Sequence, residues 1–144
     1  MPTIGDIMSQ PVYTVRSDEN LDAARKALDM LHVHHLLVEN NGRIVGIVSD
    51  RDVLRHLSPY VDGISAQRRD EATLRRPIYS IAAYDLVTVE RDTSLEEAAA
   101  LMLEHRVSCL PVRGSQGNVV GIVTKTDLLQ ATLSCLVSEQ PLAA

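Results

Sequence analysis

A chain of 144 residues with 45% apolar content is long enough to bury a core without disulfide or metal staples, and too apolar to be a disordered polymer. Its formal net charge of −5 excludes the basic footprint of a nucleic-acid surface, so any anionic ligand must be met by local basic groups. Four Tyr with no Phe or Trp make the core aliphatic.

In chain order, a short extended piece opens at residues 12–16, and Leu21, Ala24, Leu28 and Leu31 then fall on one face of a helix. His32, His34 and His35 follow where this helix enters a strand. No Cys or carboxylate spacing there completes a zinc pattern, so they read as surface and core histidines, with no metal expected. Two apolar runs, 36–39 and 44–48, are split by Asn40-Asn41-Gly42, a hairpin signal. The stretch GIVSDRDVL, residues 46–54, then turns from a strand into a helix over 50–57. Residues 58–76 carry Pro59, Gly63, Arg68, Arg69, Arg75 and Arg76. They read as a solvated polar loop or, alternatively, an arginine-rich lid or partner surface.

The pattern then repeats. Residues 86–90 are extended, and Leu95, Ala98 and Met102 share a helix face, with Thr93 and Glu96 or Ser94 and Glu97 able to box its start. Runs 109–112 and 119–123 form a second hairpin, and GIVTKTDLL, residues 121–129, opens a last helix over 125–137. Cys109, inside an apolar run, reads as a reduced core thiol. An offset of 74 aligns Leu21 with Leu95, Ala24 with Ala98, Val33 with Val107 and Val38 with Val112, and 75 aligns Gly42 with Gly117. The extra residue falls at the hairpin tip, where insertion is tolerated. The fold class is therefore mixed α/β (α+β): a β-α-β-β-α unit, twice.

Each strand-to-helix corner carries a hydroxyl followed three residues later by Asp: Ser49 with Asp52, and Thr124 with Asp127. As structure alone, each is a helix N-cap with its capping box. As chemistry, a helix N-terminus with a hydroxyl suits phosphate, and a carboxylate one turn in suits the vicinal diol of a ribose. Arg51 and Lys125 supply positive charge to the phosphates. Asp50 stands where the second copy has Lys125, which makes the second corner the better charged-nucleotide site.

The doubled Gly-Ile-Val-Ser/Thr-x-x-Asp corner, the repeated Thr-Val strand, and Val-Ser-Cys-Leu-Pro-Val before the hairpin resemble the cystathionine-β-synthase (CBS) domain, and two in tandem resemble a Bateman module, over about Ile4 to Leu136. The resemblance implies repeats at 1–57 and 78–137 related by pseudo-two-fold symmetry, a linker at 58–77, a tail at 138–144, and homodimers joined through the outer helices. It further implies adenosyl nucleotides, AMP, ADP or ATP, as regulatory ligands in clefts between the repeats, with no obligatory cofactor. Asp52 and Asp127 would hold the ribose, and Ser49 and Thr124 phosphate or ribose. Thr14, Thr88 and the backbone of Leu36, Leu37, Val38, Leu110, Pro111 and Val112 would border the adenine. Leu37 in place of Pro111 alters that wall in the first copy.

No nucleophile–base pair stands out, so no enzyme is expected. The expectation is a stand-alone sensor module that signals to a partner protein. The alternative is an interaction or dimerisation module with degenerate clefts. No apolar run approaches the ~18 residues of a membrane span, and no basic-then-apolar leader opens the chain, so a cytoplasmic protein is expected.

Overall fold

The structure is a computed structural model that describes residues 2–139. It contains two units: one is Tyr13–Leu86, and the other joins the residues up to Val12 to those from Val87 onward. Of the expected tail, residues 140–144 lie outside the described residues.

In the first unit, β1 (Thr14–Arg16), α2 (Leu21–Leu31), β2 (His35–Asn40), β3 (Arg43–Ser49) and α3 (Asp50–His56) follow in chain order, after a short α1 (Ile4–Ile7) that belongs to the other unit. The sheet order is β1-β2-β3, with β1 parallel to β2 and β3 antiparallel to it. Leu21, Ala24 and Leu28 turn one face of α2 onto Val15, Leu36, Val38, Val48 and Val53. Leu31, expected on that face, is 37% exposed. The helix ends directly after it, with His32 in the left-handed region at φ 55. The hairpin turns on Asn41 and Gly42 at φ 52 and 78, the two positive values that a two-residue type I′ turn demands.

The second unit repeats the order with β4 (Val89–Glu90), α5 (Leu95–His105), β5 (Cys109–Arg113), β6 (Val119–Thr124) and α6 (Lys125–Glu139), and a sheet of order β4-β5-β6. Ser94 caps α5 by accepting the Glu97 N–H at 3.1 Å, while Thr93 Oγ1 accepts the Glu90 N–H. Val89, Ala98, Met102, Leu110, Val112, Val123 and Leu128 form its core.

Residues 58–76 are not the plain loop expected. They contain α4 (Arg68–Ala72) and a 3₁₀ turn (Thr73–Arg75), organised around the buried Asp70. The Asp70 carboxylate accepts the Ser58 hydroxyl at 2.7 Å and the Gln67 N–H at 2.9 Å, which together hold its carboxyl below the usual range.

Candidate functional site

Each corner begins where the last strand of a sheet stops on a hydroxyl residue. Ser49 lies opposite His35, and Thr124 opposite Cys109. Extended dihedrals at Ser49 (φ −105, ψ 165) swing its side chain over the first turn of α3. There Ser49 Oγ accepts the Asp52 N–H at 3.1 Å, and Asp52 Oδ2 accepts the Ser49 N–H at 2.9 Å. The second corner is built alike: Thr124 Oγ1 accepts the Asp127 N–H at 3.2 Å, and Asp127 Oδ2 accepts the Thr124 N–H at 2.9 Å. Both are complete capping boxes. A hydroxyl that accepts in the cap keeps its own O–H to donate, and a carboxylate offers about four acceptor positions, of which the cap takes one.

The glycine that opens each motif has a steric reason. A Cβ on Gly46 would stand 2.8 Å from the Ala83 carbonyl oxygen, and one on Gly121 would stand 2.5 Å from Met8 Sδ and 3.2 Å from the Ser9 carbonyl oxygen. A segment crosses the strand there too closely for any side chain.

The other expected residues are distributed over the strands and helices of both units. Thr14 pairs with Leu37 at the start of β1, and Leu36, Leu37 and Val38 are buried in β2. Leu110, Pro111 and Val112 are buried in β5, and Thr88 directly precedes β4. The side chains of Leu36, Val38, Leu110 and Val112 belong to the cores. Arg51 and Lys125 are exposed. Arg113 Nε donates to Thr88 Oγ1 at 3.3 Å, a partner that sequence reasoning did not single out.

The corners differ in charge. The Asp50 N–H donates to the His34 carbonyl at 2.9 Å, and the Lys125 N–H to the Ser108 carbonyl at 3.0 Å, so residues 50 and 125 are held alike. At the first corner His34 Nδ1 lies 2.7 Å from Asp50 Oδ2. Partial burial pushes the Asp50 carboxyl up, but the hydrogen bonds from His34 and the Arg51 N–H, with the charges of His34 and His35, outweigh it and leave it below the usual range. Burial pulls His35 below its ordinary value more than neighbouring Asp50 lifts it. At the second corner, burial and the Asp127 charge push the Cys109 thiol up to about 12, so it stays a core thiol rather than a nucleophile.

Among the described residues no group of three His, Cys, Asp or Glu is poised for a metal ion, and no helix is long and apolar enough to cross a membrane. An open groove of about 490 Å³ runs beside α2 and α3, floored by Leu28, Val33, Val53 and Leu57, with His34 and Asp50 on its rim. Neither Ser49 nor Asp52 lines it.

The CBS domain family model matches residues 4–59 and 78–134. A CBS domain-containing protein of Dictyostelium discoideum is 34% identical over 135 residues, spanning 92% of each chain. The chloroplastic CBS domain-containing protein CBSX2 of Arabidopsis thaliana is 32% identical over 91% of this chain and 63% of its own length. A solved structure of CBSX2 in complex with AMP superposes with a TM-score of 0.72 at 29% identity, covering 94% of this chain and 99% of that one. A CBS domain pair crystallised with 5′-methylthioadenosine and S-adenosyl-L-methionine reaches a TM-score of 0.77 at 24% identity, over 94% and 98%, and speaks to the fold. A homoserine O-acetyltransferase of Methanohalophilus mahii is 30% identical over 85% of this chain but only 23% of its own length, so a stretch similar to this chain lies within a longer enzyme. With both repeats matched by the family model and the doubled corner in place, the chain belongs to the CBS domain family, with two CBS domains in tandem.

Proposed function

We propose that the chain is a regulatory module that binds an adenosyl nucleotide at its Ser/Thr-x-x-Asp corners and passes the binding state to a partner protein. One observation carries the reading: the hydroxyl–carboxylate corner occurs twice, in the same capped geometry, in a chain 29% identical to a protein solved with AMP. Asp127 and Asp52 accept the ribose diol with oxygens beyond the cap. Thr124 and Ser49 donate their hydroxyl hydrogens to phosphate or ribose. Thr14, Thr88 and the backbone of Leu36–Val38 and Leu110–Val112 border the adenine. Lys125 makes the second corner the place for a phosphorylated ligand, whereas Asp50, tied to His34, sets a negative charge at the first.

The module works as a homodimer. Leu54, Leu129, Leu133 and Leu136 are 70%, 70%, 63% and 57% exposed on α3 and α6, apolar surface that a second copy covers.

A second reading is a CBS-fold interaction module without a ligand, and it too has a specific support, since both carboxylates already serve capping boxes. Thermal melting with AMP, ADP, ATP, NAD and S-adenosylmethionine separates the two. A ligand at 100-fold saturation stabilises the fold by about 2.7 kcal/mol, a shift of several degrees. No shift with any of the five favours the second reading.

A further inference from the structure

The offset of 74 residues that aligns the repeats also relates the short segments that precede their first strands. Ile4 corresponds to Ile78, and each side chain is 0% exposed. They are buried in opposite places. Ile4 sits in the core of the second repeat with Val89, Val112 and Val123, and Ile78 in that of the first with Val15, Val38 and Val48.

The backbone keeps the same correspondence. The N–H groups of Ile4 and Gly5 donate to the carbonyls of Thr93 and Arg91, at 3.0 and 2.8 Å. Those of Ile78 and Tyr79 donate to Glu19 and Ser17, again 74 residues apart, at 2.8 and 3.0 Å. Ser9 and Ile122 then exchange both backbone bonds at 2.8 and 3.1 Å, and Ala83 and Ile47 do so at 2.9 and 3.0 Å. Each of these bridges pairs the exposed side of a strand that would otherwise be a free sheet edge. Each also lies two residues before a corner hydroxyl: Ile122 before Thr124, and Ile47 before Ser49.

We infer that the repeats exchange their leading segments, so that residues 3–10 set the stability of the second corner and residues 77–84 that of the first. The sequence repeat and the folding unit are therefore different stretches of chain. The buried isoleucine anchors each segment, the two-bond bridge fixes its register over Gly121 or Gly46, and the corner inherits its rigidity from a segment distant in sequence, more than 110 residues before Thr124 and 28 or more after Ser49.

Amide hydrogen exchange on the full chain tests this, comparing the wild type with Ile4→Ala and Ile78→Ala. Deleting a buried isoleucine side chain opens its unit enough to lower protection at least about tenfold. Ile4→Ala is expected to do so at Val123 and Asp127 while Val48 and Asp52 change far less, and Ile78→Ala to give the reverse. Where an alanine variant does not fold, Ile4→Val and Ile78→Val give the same crossed pattern at about a few-fold. Protection lost in the variant's own repeat as much as in the other, or in neither, overturns the inference.

Discussion

Gly46 passes so close to Ala83 that any Cβ on it would stand 2.8 Å from the Ala83 carbonyl oxygen, an atom that accepts the Ile47 N–H while the Ala83 N–H donates back to the Ile47 carbonyl. Gly46→Ala must therefore displace backbone, and is expected to cost about 1–3 kcal/mol in urea unfolding. At Gly121 the nearest obstacle is the flexible end of Met8, so Gly121→Ala is expected to cost less. Equal costs would contradict this account of the two glycines.

His35 gives the fold a pH dependence with a defined sign. Burial pulls its folded value below the ordinary 6.5, with Asp50 and Asp52 opposing that effect and His34 adding to it. Below 6.5 the unfolded chain takes up a proton that the folded chain resists, so stability falls with pH until the lower folded value is passed. His35→Gln should flatten that segment of a stability–pH curve. A curve unchanged by the substitution would assign the slope to other groups.

Residues 50 and 125 hold the same position in their corners with opposite charge. Lys125→Asp is expected to weaken ATP binding by about tenfold, the loss of one charge-assisted contact, while adenosine changes little. The difference should shrink at high salt, because Lys125 is exposed and screened. Equal losses for both ligands would place Lys125 outside the phosphate site.

The exposed leucines of α6 are expected to join two copies. Sedimentation at micromolar concentration should give a dimer, and Leu133→Glu should give a folded monomer, since a 63% exposed side chain contributes little to the fold of one copy. A wild-type monomer would leave this apolar face without its proposed role.

Much of the architecture is legible in the sequence because it rests on local periodicity and turn chemistry. Leu21, Ala24 and Leu28 mark the buried face of α2, Asn41-Gly42 fixes the hairpin, and Ser49 with Asp52 and Thr124 with Asp127 form the boxes that their spacing implies. What is not legible depends on long-range partners. Nothing in IGDIMS signals that Ile4 is buried in the core of the later repeat, since the stretch is too short for a period. Residues 58–76 look like a polar loop because the groups that order them, Ser58, Gln67, Asp70 and Thr73, are polar and act through hydrogen bonds to one another. Likewise the pairing of His34 with Asp50 follows from strand register rather than from any motif in His32-Val33-His34-His35.

If the second corner holds an adenosyl nucleotide, it is more than a capped helix end. Calorimetric titration of AMP into the wild type and Asp127→Asn separates the two roles. Asparagine keeps an oxygen to accept the Thr124 N–H, so the variant should fold nearly normally, whereas it loses the charge and one acceptor toward the diol. Two charge-assisted hydrogen bonds of about 1.5–3 kcal/mol each are at stake. Losing even half of that total weakens binding at least about tenfold, at about 1.4 kcal/mol per decade. The predicted result is a folded variant whose AMP affinity drops by that factor or more; an affinity unchanged from the wild type would return Asp127 to the ordinary work of a capping box.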